Sequence, residues 1–237
     1  LTAFACIPLI YHTIKAEERR DEKIKSRGLP SWRTHRKAIY YFLALSLGFI
    51  FMFSLFNIFM PEQTITQVFQ TQIDTINYIN QRTTGDFVEI NKVFFEIVAN
   101  NINVLLFCFI FSFFFGAGAI FILTWNSSVI AVAVGNFARN KLGQAAGAVG
   151  INKVAAYFTA FSLGFWRYML HGIFEILAYF VAGLAGGIIS VAIIHHEVGS
   201  ANFKKVFKDS MYLFGLALII ILIGAVVEVY ITPRLFY

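Results

Sequence analysis

His171 and Glu175 stand four residues apart inside the apolar run 167–187, RYMLHGIFEILAYFVAGLAGG. On a helix that spacing stacks the two side chains on one face, a single turn apart. A bare carboxylate at lipid depth costs about 3 kcal/mol or more, so Glu175 must be protonated, paired or turned towards water. A hydrogen bond to His171 is the cheapest local solution. Asn100, Asn101, Asn126, Arg167 and Glu228 are further candidate partners. Glu228 is the other carboxylate deep in an apolar run, and its place about one turn before Pro233 sets it near the outer interface.

Three chemistries suit such a pair. It can fix the packing of neighbouring helices, relay protons or ions, or hold a metal or a reacting group. The last is disfavoured. His-x-x-x-Glu lacks the second histidine of the HExxH zinc motif, and His12, His35, His195 and His196 do not converge on it. The sequence has no Gly-x-Ser-x-Gly, no paired intramembrane aspartates and no phosphate-binding loop. The expectation is a protein that is not an enzyme, with no cofactor and no metal. Cys6 and Cys108, both in apolar stretches without a CxxC partner, read as small buried hydrophobes.

Ala178, Ala182, Gly186 and Ser190 follow at a spacing of four, flanked by Gly183 and Gly187. Such a ridge lets helix backbones approach closely. Gly116 and Gly118 supply a second thin spot that could be its partner. The contact lies either within the monomer or between two copies.

The elements that must carry these residues are membrane helices. Hydrophobic residues make up 58% of the chain, charged ones 14%, and the mean hydropathy is +0.70. Soluble domains carry roughly 25% charged residues. The apolar residues fall in long blocks rather than the alternating ten-residue segments of a barrel, so an all-α polytopic bundle of about six membrane segments is expected. Residues 1–14 read as the end of an N-terminal transmembrane helix and 15–37 as a basic linker. Residues 38–237 read as the transmembrane core, opening with a span over 38–60. In 62–100, Ile65, Val68, Phe69, Ile73, Ile76 and Ile79 mark an amphipathic helix, with a second pattern from Val88 to Val98. The next span is expected at 102–125, with 126–138 either extending it as a broken helix or lying re-entrant. Blocks 154–166 and 168–194 read as a hairpin turning at Arg167, and 211–232 as the last span.

The positive-inside rule orients the chain. It puts 15–37, 139–153 and 195–210 in the cytoplasm, with 15 of the 19 Lys and Arg, and 62–100 outside. Acids interleave with these bases and no aromatic-basic motif accompanies them, so nucleic acid is not an expected partner. The bilayer, a second copy or a larger membrane complex, and envelope proteins meeting 62–100 are.

In order along the chain come NN at 100–101, GAG at 116–118, NS at 126–127, HGIFEILA at 171–178, AGLAGG at 182–187 and EVYITP at 228–233. Together they resemble the stage II sporulation protein M family of integral membrane proteins, over about residues 38–233. Leu170 stands where that family usually has proline and Ser127 where it often has glycine, changes that favour a straighter backbone at both points. The resemblance implies an all-helical membrane core. It also implies, less directly, the work of the family's named member, a membrane anchor that holds peptidoglycan-degrading enzymes together during spore engulfment. The leading expectation is a scaffold that recruits partners for cell-envelope remodelling. The rival is a permease-like transporter or channel subunit with a protonatable Glu175.

Overall fold

The computed structural model describes residues 2–23, 32–82, 87–115, 119–144, 147, 150–195 and 199–236. Its helices are α1 (Thr2–Lys23), α2 (Trp32–Phe59), α3 (Glu62–Arg82), α4 (Phe87–Phe115), α5 (Ala119–Gln144), α6 (Ile151–His195) and α7 (Ala201–Val226). A π turn, Val227–Ile231, and a short α8, Thr232–Phe236, close the chain. No strand occurs among the described residues. Five helical stretches are long and apolar enough to cross a membrane: Arg36–Phe59, Ile90–Phe114, Ile120–Gln144, Ile151–Ile194 and Ala201–Phe236. The protein is therefore an all-α polytopic bundle.

Two expected boundaries move. The span expected at 102–125 is divided, because α4 ends at Phe115 and α5 begins at Ala119. Small residues at the division are themselves apolar, so hydropathy shows no dip there. Gly116 and Gly118, with the thin spot expected of them, lie outside the described residues. Residues 126–138 are plain helix inside α5, neither broken nor re-entrant. The hairpin expected around Arg167 is likewise absent, since α6 runs unbroken for 45 residues. Backbone continuity through Ser127 and Leu170 matches the straightening expected of those two residues. At the N-terminus, α1 carries the helix beyond residue 14 to Lys23.

The described chain forms two compact units. The first comprises Leu1–Ser46, Ile97–Trp125 and Phe174–Ile223, and the second Leu47–Glu96, Asn126–Ile173 and Gly224–Tyr237.

In the first unit, Gly186 of α6 rests on the carbonyl of Phe109 in α4 so closely that a Cβ would collide with it. Ala178, Ala182, Gly183 and Gly187 are all buried on the same helix. Lipid tails are as apolar as leucine, so close backbone approach and dispersion must hold such helices together. Phe42 stacks on Phe180 at 5.0 Å between centroids, and Phe109 meets Phe214 at 4.8 Å.

In the second unit, the Ser54 hydroxyl donates to the Ala131 carbonyl at 3.2 Å, and Asn57 abuts Gly135. One step further along both helices, Arg139 Nη1 donates to the carbonyls of Asn57 (2.9 Å) and Met60 (2.8 Å). These contacts advance together, so α2 and α5 run parallel here. Gly164 of α6 sits against Val134 and Phe137, and Gly172 against Ile130, in the reverse order, so α6 is antiparallel to α5. The apolar stripe of α3 turns inward: Ile65 and Phe69 form a buried cluster with Val132. A kink at Phe69 (φ −118°, ψ 20°) interrupts α3, and beyond it Gln72 Nε2 donates to Ser128 Oγ at 3.0 Å.

The Arg139 bonds bring the end of α2, where 62–100 begins, beside the first cation of 139–153.

The Gly186 contact is checked by a sign reversal. Gly186→Ala should destabilise the purified protein by about 2 kcal/mol through overpacking against α4. Gly48→Ala, which meets open space within the α2 helix, should be neutral or stabilise by up to about 1 kcal/mol. Thermal unfolding in mild detergent reads both.

Candidate functional site: a polar network between α4 and α6

Asn101 of α4 is the centre of the site. Its Nδ2 donates to Glu175 Oε1 at 3.1 Å, and its Oδ1 accepts from the Tyr179 hydroxyl at 3.1 Å. Asn100 Nδ2 approaches the same oxygen at 3.4 Å. Asn101 is 5% exposed and Tyr179 1%, so an unsatisfied carboxamide here would cost about 1–3 kcal/mol. Glu175 and Tyr179 lie one turn apart on α6, which sets them on one face. The partners fix the amide's orientation: the oxygen faces the hydroxyl and the nitrogen faces the carboxyl. The network therefore presents the carboxyl of Glu175 with a fixed donor from another helix.

His171 belongs to the second unit, whereas Glu175 belongs to the first. The imidazole Nδ1 lies 3.4 Å from Thr232 Oγ1. That hydroxyl in turn donates to the Val227 carbonyl at 3.0 Å, closing the π turn. A π turn leaves backbone carbonyls out of α register, and such turns recur at functional positions. Glu175 thus has a hydrogen bond from Asn101 on another helix.

The other sequence candidates are dispersed. Arg167 lays its guanidinium over the ring of Phe137 at 5.2 Å and near Tyr168 at 5.7 Å. Asn126 is half-buried in α5, and Glu228 is half-buried in the π turn. Of the named partners, Asn100 and Asn101 come together with Glu175, and Arg167, Asn126 and Glu228 belong to other surroundings. Tyr179 and Thr232 escaped the sequence reading. Extending His-x-x-x-Glu by one more turn would have found Tyr179. Thr232 needed the tertiary fold, although Tyr230, two residues before it, also reaches α4 by donating to Asn91 Oδ1 at 3.2 Å.

Helices joined by backbone contacts and by buried polar ties define a class: polytopic α-helical membrane proteins whose spans are held by interhelical hydrogen bonds. The family model for stage II sporulation protein M matches residues 38–233, and the chain belongs to that family. It is also similar to an uncharacterised protein of Methanocaldococcus jannaschii, 25% identical over 197 residues, which cover 81% of this chain and 92% of the relative. No solved structure matches the chain.

A double-mutant cycle checks the tie. Asn101→Asp sets a second carboxyl beside Glu175 and should lower stability by about 2 kcal/mol, with Glu175→Gln in the same chain recovering most of the loss. Thermal unfolding of the four proteins gives the coupling, and simple additivity would show that the two residues do not interact.

Proposed function

We propose that the protein is a non-enzymatic membrane scaffold that holds envelope proteins in a complex, as a homodimer or within a larger assembly. The observation that carries this reading is the way α3 is mounted. Its apolar stripe is occupied by α2 and α5 of its own chain. Gln63 and Gln67 before the kink, and Gln70 and Asp74 after it, remain exposed. A helix clamped in this way offers a preordered polar surface with little entropy left to lose on binding. Partner recognition then falls to this polar face rather than to the apolar stripe. The anchoring role that the resemblance implies for the family's named member agrees with the reading.

Counting the candidate spans supports a revised orientation. Residues 15–37 and 195–210, with 12 Lys and Arg between them, lie in the cytoplasm. The beginning of 62–100 and residues 139–153 lie outside. The excess of positive charge remains internal, as the rule requires.

Co-purification from the native membrane in mild detergent tests the scaffold. Gln67→Arg with Gln70→Arg should release the associated proteins while leaving thermal stability within about 0.5 kcal/mol of wild type, as for other surface changes. Proteoliposomes bearing a pH-sensitive dye test the rival. Proton flux that Glu175→Gln abolishes would replace the scaffold with a transporter, and equal traces from the two proteins are expected.

A further inference from the structure

Away from the polar network, the second unit carries a groove of about 480 Å³ between α2 and α3. Five residues of α2 from Met52 to Phe59 line it, together with Met60 just beyond the helix and Val68 and Phe69 of α3. Met52, Phe59 and Val68 are each more than half exposed, so the groove opens outward. A cation stands beside Met60, the last of the α2-side lining residues. Arg139 Nη1 donates to the carbonyl of Met60, a lining residue, and to that of Asn57. A guanidinium has five N–H donors, and the two bonds shown both come from Nη1. Glu62, two residues beyond Met60, forms no ion pair with Arg139 among the described residues.

From this apolar trough and the guanidinium bonded to the carbonyl of one of its lining residues, we infer that the groove binds an anionic phospholipid. One acyl chain fills the trough and the phosphate meets Arg139. The charge decides between occupants. A phosphate accepts hydrogen bonds from the planar guanidinium at short range. A zwitterionic lipid brings a cation of its own to the same place. An apolar partner helix would leave the guanidinium's remaining donors unanswered. The inference does not depend on the scaffold reading.

Native mass spectrometry of the full chain in non-ionic detergent tests it, with phosphatidylglycerol, phosphatidylcholine and water-soluble glycerol phosphate as probes. Wild type should retain phosphatidylglycerol about tenfold more strongly than phosphatidylcholine, a difference of about 1.4 kcal/mol. Arg139→Gln should reduce the first to the level of the second. Val68→Phe, at an exposed position that leaves the Arg139 bonds intact, should weaken both lipids by filling the trough. Equal retention of the two lipids by wild type overturns the inference. So does retention unchanged in Val68→Phe, which would move the lipid off the groove. Glycerol phosphate binding as tightly as the phospholipid would mark a site for free anions. A dimer that Val68→Phe dissociates would mark a second copy of the chain as the occupant. Either result also overturns the inference.

Discussion

Everything in the first unit turns on a constraint the bilayer imposes: polar groups at lipid depth must find partners inside the protein. The carboxamide of Asn101 meets it at both ends, accepting from Tyr179 and donating to Glu175. Interhelical hydrogen bonds in membranes are individually modest, about 0.6 kcal/mol on average. Their greater effect is on register. A single residue that must satisfy two others on the facing helix holds α4 and α6 in one alignment, and Gly186 against the Phe109 carbonyl fixes the same pair again. A slip of either helix would break the hydrogen bonds and drive the backbones into each other.

The second unit adds main-chain acceptors to its side-chain pairs. Ser54 and Arg139 both donate to main-chain carbonyls. The arginine covers the carbonyls where α2 ends, an arrangement that also suits the helix dipole. The amide of Asn57, buried against Gly135, has no hydrogen-bond partner for either side-chain atom among the described residues. Polar groups thus concentrate where α2, α3 and α5 pack, and the aromatic residues outside that seam complete the packing, as Phe51 does with Phe161.

Much of the architecture was legible in the sequence because hydrophobic blocks and helical periodicity are strong signals. The span at 38–60, the amphipathic pattern of α3 and the small-residue face of α6 all came from them. The misplaced boundaries have physical causes. Apolar small residues between α4 and α5 concealed a division that hydropathy could not register. Arg167 gave the opposite error, because a charge in an apolar run reads as an interface, whereas the ring of Phe137 beneath the guanidinium lets it stay within a continuous helix. Asn101 was visible as a candidate because asparagine is conspicuous among apolar neighbours. Its choice of Glu175 and Tyr179 was not, since that depends on how α4 lies beside α6.

The length of α6 sets the protein at odds with its solvent. At 1.5 Å per residue its 45 residues extend about 67 Å, against a hydrocarbon layer of about 30 Å. Even a 40° inclination, the steep end of the usual range, leaves about 51 Å along the membrane normal. A helix of that length reaches past the hydrocarbon layer, so its outer turns meet headgroups, water or other protein rather than lipid tails.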